Sequence, residues 1–275
     1  MNAFRYSRPG TVSAVVESLR REDGARPLAG GMSLLPAMKH GLSRPSALVD
    51  LACIGGLSDI RLENGVLRIG ALSRHAQVAA SREVCGAIPA LAALAGHIGD
   101  RQVRNRGTLG GSLANNDPAA CYPAAVLGLD AIIETDRREI TAEAFFVDLF
   151  ETSLTRDEII VAVRFPVPRN AAYKKFHQPA SRFALVGVFV CVTSHGMVRV
   201  AVTGAGPVVF RATQVEQALN ADFRPESAMA ARIPAEGLNS DMHGDSEYRA
   251  HLVPVLAARA VSEMLGQSGE RSRGY

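Results

Sequence analysis

The sequence predicts an α+β fold in two parts, and three observations carry the prediction. A β-hairpin is written locally in "DIRLENGVLRIGA": Ile60 and Leu62 alternate with polar residues, Asn64-Gly65 makes the turn, and Leu67 and Ile69 alternate again. Segments of helical period surround that hairpin, so strands and helices are interleaved. The stretch "DEIIVAVRFPVP" then reads as a strand stopped by Pro166 and Pro168, and a second series of elements follows it. A chain of 275 residues is long enough for two modest domains. The proline-punctuated stretch, ending near Asn170, places the boundary between residues 1–169 and 170–275.

The elements follow in order. Thr11 to Glu22 reads as a helix, with Thr11 as its cap and Val12, Val15, Val16 and Leu19 on one face. "ARPLA" is a short strand, "SLLPAMKHG" a short helix ended by Gly41, and "SALVDL" a second strand. After the hairpin, Ser73 opens a largely helical region through "PALAALAGHIG", and "DRQVRNRG" reads as a basic loop running into "TLGGS". Asp117-Pro118 has the form of a helix start, "PAAVLGL" is helical and "DAIIET" is a strand. In the second part, "FALVGVFVCVT" and "MVRVAVTGAG" are strands joined by a turn at "SHG". "SEYRAHLVPVLAARAVSEML" is a terminal helix interrupted or bent near Pro254, and the polar "GQSGERSRGY" is expected to fray.

Composition excludes several classes. Hydrophobic residues at 47% and charged residues at 21% are ordinary for a globular protein, and a net charge of +3 with no basic run beyond pairs argues against nucleic-acid binding. There is no tryptophan, and no apolar stretch has the length of a membrane span. Nothing in "MNAFRYSRPG" resembles a signal peptide, which makes the cytoplasm the expected location. Cys53, Cys85, Cys121 and Cys191 lie far apart with no metal-type spacing, and buried reduced thiols are the expectation. The seven histidines show no ligand spacing either, so surface or packing roles are expected of them.

Two glycine pairs stand out, in "RPLAGGMSLLPAMKHG" and "RNRGTLGGSLANNDPAA". Glycine allows a ligand to approach the backbone, and successive free N–H groups form a concave nest for an anion. Ser33, Thr108 and Ser112 place hydroxyl groups beside the pairs, and two such turns brought together suit a diphosphate. One G-G-x-S turn alone is a weak signal, and a tight turn that holds nothing is the better reading of it. The dinucleotide fingerprint G-x-G-x-x-G and the P-loop G-K-[ST] are both absent. From spacing alone, an anion site is as far as the residues reach.

"RPLAGGMSLLPAMKHGLSRPSALVDL" followed by "GHIGDRQVRNRGTLGGSLANNDPAACYPAAVL" resembles the FAD-binding medium subunit of the molybdenum hydroxylases, the family of xanthine and carbon monoxide dehydrogenases. The likeness runs from "FRYSRPGTVSAVVESL" to "EYRAHLVPVLAARAV". It implies a two-part FAD-binding domain of the vanillyl-alcohol oxidase (PCMH) type, divided at about 1–57 and 58–169, and a smaller α+β domain like that of the carbon monoxide dehydrogenase flavoprotein. It also implies that Ala29, Gly30, Gly31, Met32 and Ser33, with Thr108, Leu109, Gly110, Gly111 and Ser112, cradle the FAD diphosphate. Asn116 and Asp117 would run along the nucleotide side, Leu154 would lie near the flavin ring, and Lys175 and Phe183 would reach over from the C-terminal domain. Met32, Ser112, Cys121 and Arg182 depart from residues frequent at these positions in the family.

The activity implied is electron exit. Substrate is oxidised at a molybdopterin centre in a large subunit, and electrons pass through [2Fe–2S] clusters of a small subunit to this chain's FAD. From there they go to NAD, oxygen, a quinone or another carrier. The chain carries no legible nucleophile arrangement, as expected where the flavin supplies the redox chemistry. Two other readings use the same residues: a stand-alone flavin oxidase, which turnover of a small substrate by the isolated chain would favour, and a flavin-free assembly subunit, which would be colourless even with its partners. By default Lys174-Lys175 is an exposed pair and Phe183 a core residue; Arg101, Arg104 and Arg106 form a solvated loop or face phosphates or a partner.

Overall fold

The structure, a computed structural model, describes residues 3–266, so most of the expected frayed terminus lies outside the described residues. The chain opens with β1 (Arg5–Ser7), α1 (Val12–Arg21), β2 (Arg26–Leu28), α2 (Leu34–Lys39) and β3 (Ala47–Asp50). Thr11 Oγ1 accepts from Ala14 N at 3.2 Å, as its capping position requires. β3 lies between β1 and β2, parallel to both, and its Ala47 and Val49 pack with Val15 and Leu19 of α1. Gly41 closes α2 at φ +75°, where its N–H reaches Met38 O at 3.1 Å.

The predicted hairpin is β4 (Ile60–Glu63) and β5 (Val66–Gly70), with Ile60 opposite Ile69 and Leu62 opposite Leu67. Asn64 and Gly65 both have positive φ, 50° and 76°, the geometry of a type I′ turn. Six short helices follow: α3 (His75–Ala80), α4 (Arg82–Ala87), α5 (Pro89–Gly96), α6 (Arg101–Arg106), α7 (Leu109–Asn115) and α8 (Tyr122–Gly128). Here the structure corrects the sequence reading. "DRQVRNRG" is helix α6 rather than a loop, because Asp100 Oδ1 caps it by accepting from Val103 N at 2.8 Å. Asp117-Pro118 does not start a helix: Asp117 Oδ1 accepts from Ala119 N, and α8 begins only at Tyr122.

β6 (Ile132–Thr135), β7 (Glu139–Thr141), α9 (Ala142–Phe145), β8 (Phe146–Asp148), β9 (Glu151–Thr152) and β10 (Ile160–Pro166) come next. The order β4-β5-β10-β6-β7 makes a five-stranded antiparallel sheet, and β8 pairs with β9 in a separate ribbon. α5, α7 and α8 pack against the sheet through Leu91, Leu94, Leu109, Leu113 and Val126.

The last part consists of β11 (Asn170–His177), β12 (Ala184–Val192), β13 (Val198–Thr203), β14 (Phe210–Arg211), α10 (Thr213–Ala221), α11 (Pro225–Ala230) and α12 (Ser246–Met264). The four strands form an antiparallel sheet in sequence order, and Pro254 lies within a single α12. β12 is apolar throughout because both its faces are covered. Val186, Val188 and Val190 join the core under α12, while Phe189 and Cys191 join the core around α8. A Cβ on Gly128 of α8 would lie 3.1 Å from Phe189 Cδ1, so the two parts share one packed boundary. Cys121 and Cys191 are buried as expected; Cys53 and Cys85 are exposed.

Candidate functional site

The two glycine motifs meet. A Cβ on Gly30 would stand 2.1 Å from Arg106 O and 2.8 Å from Gly107 Cα, so this position tolerates only glycine. From the other side, a Cβ on Gly107 would stand 2.4 Å from His75 Nε2, and His75 N donates to Gly107 O at 3.0 Å. The Arg106–Gly107 peptide is thus held between Gly30 and His75. The next residues are pinned to the segment that follows β5: Leu109 N donates to Ser73 O at 3.0 Å, and Gly110 N to Ala71 O at 2.8 Å. Gly111 then faces Ala29 across the crossing, where an added Cβ would come within 3.7 Å of Ala29 Cβ.

The two motifs contribute differently, which the sequence did not reveal. In the first, Gly31 takes φ +73° and only its carbonyl is used, accepting from Leu35 N. Among the described residues, the amides of Gly30, Gly31, Met32 and Ser33 have no intramolecular partner, so one turn holds four successive unpaired donors, from buried Gly30 to exposed Ser33. In the second, Gly110-Gly111 is not an open turn but the first turn of α7, with its amides already engaged. Gly111 N donates to Thr108 Oγ1 at 3.1 Å and Ser112 N to Thr108 O at 3.0 Å. These glycines serve close approach, and the hydroxyls of Thr108 and Ser112 are what the segment can offer. Met32 and Ser33 are exposed, Ser112 is half-buried and Thr108 is buried.

The electrostatics favour an anion. Arg104 Nη1 donates to Ile98 O and Gly99 O, and Arg74 Nη1 to Asn105 O, so both guanidinium groups are anchored on carbonyls rather than neutralised by carboxylates. Burial, with Arg104 adding to it, holds the His75 imidazole down to about 4, so it supports the crossing as a neutral ring. It lies against Tyr122 with ring centroids 5.3 Å apart. Half-buried Asp117 has its carboxyl pushed up by desolvation, against which the Ala119 N–H works.

The C-terminal residues arrive from one hairpin. Lys175, on β11, donates to His97 O at 2.8 Å and to Arg182 O at 2.9 Å, and its Nζ lies 3.5 Å from Cys121 Sγ. Lys174 points the other way and pairs with Glu263, so the two lysines are not an equivalent exposed pair. Phe183, expected in the core, is 51% exposed beside this latch. Leu154 is half-buried against the main core. Asn116 has a role that spacing concealed. It takes φ +42°, and its Nδ2 donates to Asp148 O and Glu151 O, both at 2.8 Å, so its side-chain donors are already used in holding the β8–β9 turn. His75 is a packing residue, as was expected of the histidines, but its place behind the crossing carries no spacing signal.

A glycine-lined crossing with unpartnered amides, between a parallel three-stranded lobe and an antiparallel five-stranded one, defines a two-part FAD-binding flavoprotein carrying a further α+β domain. Comparison with known proteins gives the family. Residues 2–168 match the family model of the FAD binding domain in molybdopterin dehydrogenase, and residues 171–264 that of the CO dehydrogenase flavoprotein C-terminal domain. The chain is 36% identical over 274 residues to the nicotine 6-hydroxylase medium subunit of Paenarthrobacter nicotinovorans, covering 95% of this chain and 97% of that one. It is 31% identical to the carbon monoxide dehydrogenase medium chain of Hydrogenophaga pseudoflava, covering 94% and 96%. A solved carbon monoxide dehydrogenase from that organism superposes with a TM-score of 0.86 at 30% identity, covering 97% of this chain and 98% of that one. Quinoline 2-oxidoreductase from Pseudomonas putida 86 superposes at 0.87, with 28% identity. The chain therefore belongs to the FAD-binding medium subunits of the molybdenum hydroxylases, oxidoreductase components of multi-subunit complexes. No helix among the described residues is long and apolar enough to cross a membrane.

Proposed function

We propose that the Gly30–Gly107 crossing is the diphosphate cradle of the FAD, and that this chain is the electron exit of its complex. The observation that carries the reading is the conjunction at that crossing. A Cβ would fill the gap between the two motifs, and beside it four successive amides, those of residues 30–33, have no partner among the described residues. In this reading Ala29, Gly30, Gly31, Met32 and Ser33 lie on one side of the diphosphate, and Thr108, Leu109, Gly110, Gly111 and Ser112 on the other. Asp117 lies along the nucleotide side; Asn116 acts there through position, since its side-chain amide is engaged elsewhere. Leu154 and the Lys175–Phe183 latch border the flavin ring.

When bound, the flavin accepts single electrons and releases a pair. The protein's part is to hold the anion with backbone amides, keep His75 neutral beneath them, and close the ring side with the β11–β12 hairpin. Electrons enter from [2Fe–2S] clusters of a small subunit, and the molybdopterin centre belongs to a large subunit. Nicotine, caffeine, carbon monoxide and xanthine all appear in the names of relatives with medium subunits like this one, so substrate choice lies outside this chain. The external acceptor is NAD, oxygen, a quinone or another carrier, and the complex works in the cytoplasm. Residues 1–169 form the FAD-binding domain, divided near 57, and 170–275 the C-terminal domain.

The test is an absorbance spectrum of the chain and of its complex, with and without added FAD, for wild type and Gly111→Asp. An added Cβ there would stand 2.8 Å from Thr108 Oγ1, which must shift, and 3.7 Å from Ala29 Cβ, while an acidic residue suits the first turn of a helix. Circular dichroism establishes that the variant is folded, and the folded variant should lose the flavin bands. An unchanged flavin content in Gly111→Asp would remove the diphosphate from this crossing. Colourless wild-type protein, even in its complex, would leave the flavin-free assembly subunit.

A further inference from the structure

Two donors of β11 meet the sulfur of Cys121, which caps the start of α8 and is 5% exposed. Lys175 Nζ lies 3.5 Å from Cys121 Sγ, the third contact of an ammonium that also donates to His97 O and Arg182 O. Tyr173 stands two residues earlier on the same strand, so its side chain leaves by the same face. It is 9% exposed, and its hydroxyl abuts Cys121 yet has no hydrogen-bond partner among the described residues. Gly187, opposite Lys175 across the β11–β12 pair, leaves the place for it: a Cβ there would come within 2.5 Å of that oxygen. Burial, and after it Cys121, push the Tyr173 phenol up, so it remains a donor. A buried donor without an acceptor costs free energy, and each one in a folded protein calls for a reason. Here an ammonium and a phenol border one sulfur, and what both lack is an oxygen on it. The other buried thiol, Cys191, is held to Gly128 O at the far end of α8, about 10 Å along the helix, which leaves the Lys175 nitrogen as the nucleophile beside Cys121.

We propose that Cys121 is an oxidation site for hydrogen peroxide, and that Lys175 captures its sulfenic acid as a sulfur–nitrogen link between α8 and β11. In the first step the thiol takes one peroxide oxygen: an S–O bond forms, the O–O bond breaks, sulfur is oxidised by two electrons and the rest of the peroxide leaves as water. Tyr173 and Lys175 both donate to the new oxygen. In the second step the Lys175 nitrogen bonds to sulfur and the S–O bond breaks. One proton of the former ammonium leaves with the hydroxide as water, another passes to solvent, and no further oxidant is needed. The linked nitrogen keeps a single N–H where the ammonium had three, so at least one of His97 O and Arg182 O loses its donor. Oxidation therefore loosens the 178–183 loop while it ties β11 to α8. The chemistry depends only on these three side chains and stands apart from the flavin reading.

The test is peptide mapping by mass spectrometry of the full wild-type chain and of its complex, folded and treated with hydrogen peroxide, before and after dithiothreitol. A pair of peptides should be found joined at Cys121 and Lys175, lighter than their sum by two hydrogens, and dithiothreitol should part them. Hydrogen exchange at Gln178 and Arg182 should speed at least threefold in the linked protein and return to its starting rate on reduction. Cys121→Ser and Lys175→Arg should yield no link, and Tyr173→Phe should form it about threefold more slowly, for want of one donor to the sulfenic oxygen. The wild-type map decides by itself, so a variant that fails to fold leaves the result standing. Cys121 recovered as an unmodified thiol after treatment would overturn the proposal. Cys121 recovered as a sulfinic acid, with Lys175 a free amine, would overturn it equally, by showing that the nitrogen does not reach the sulfur.

Discussion

Gly30 lies against the carbonyl of Arg106 so closely that a Cβ would come within 2.1 Å of that oxygen, and both partners in this contact are backbone. Two segments more than seventy residues apart in sequence are fastened there by the absence of a side chain.

Gly30→Ala should therefore be costly out of proportion to one methyl group. The Arg106–Gly107 peptide cannot retreat, because His75 stands behind it. We expect a loss of about 3 kcal/mol, at the upper end for overpacking, together with loss of flavin binding. Gly55→Ala is the control, since an added Cβ there meets nothing within 4 Å, and it should change stability by less than about 0.5 kcal/mol. Chemical denaturation of both variants checks the contrast.

His75 gives a pH dependence with a definite sign. Its imidazole is held from 6.5 down to about 4 in the folded chain, by burial first and Arg104 second. Between those values the unfolded chain binds the proton and the folded chain does not, so stability rises with pH across that window. The contribution is complete above 6.5 and is lost as pH falls toward 4, up to about 3 kcal/mol in all. Denaturation midpoints between pH 7 and pH 4 should fall more steeply for wild type than for His75→Asn. Equal slopes would show that another group governs acid unfolding.

Lys175 closes the hairpin by donating to His97 O and Arg182 O. In Lys175→Met the 178–183 loop loses its tie to the α5–α6 segment. Hydrogen exchange at Gln178 and Arg182, whose amides bond within that loop, should speed at least tenfold. Lys174→Met removes only a partly exposed ion pair with Glu263 and should leave the same amides within about threefold of wild type.

Asn116→Asp replaces a double donor by a carboxylate facing the Asp148 and Glu151 carbonyls. The partly buried bonds are lost and two carbonyl oxygens meet a negative charge, at a cost of about 2–3 kcal/mol. The melting temperature should drop by roughly 5–10 °C. Asn116→Gly keeps the left-handed backbone and should lose less than Asn116→Asp. Full retention of stability in Asn116→Gly would mean that φ, not the side-chain clamp, is what Asn116 supplies.

Much of this architecture was legible locally. The Asn64-Gly65 hairpin, the Thr11 cap, the Gly41 helix stop and the proline stop at β10 are each decided by a few adjacent residues. The failures have local causes as well. "DRQVRNRG" looked like a loop because its charges hide the cap that Asp100 supplies, and Asp117-Pro118 looked like a helix start although the Asp117 carboxylate closes a tighter turn. Phe183 opens an apolar run and was expected in the core; the Lys175 latch holds it outside instead.

By itself the sequence determined the fold class, the positions of the elements and the two glycine motifs, because turn chemistry, capping and periodicity act within a few residues. Only the tertiary structure decided what those motifs do to one another. It set the Arg106–Gly107 peptide between Gly30 and His75, left the amides of residues 30–33 without partners while engaging those of 109–112, and committed Asn116 to the β8–β9 turn. Those outcomes depend on which backbone groups of distant segments come within hydrogen-bonding or van der Waals reach, and packing of the whole chain fixes that.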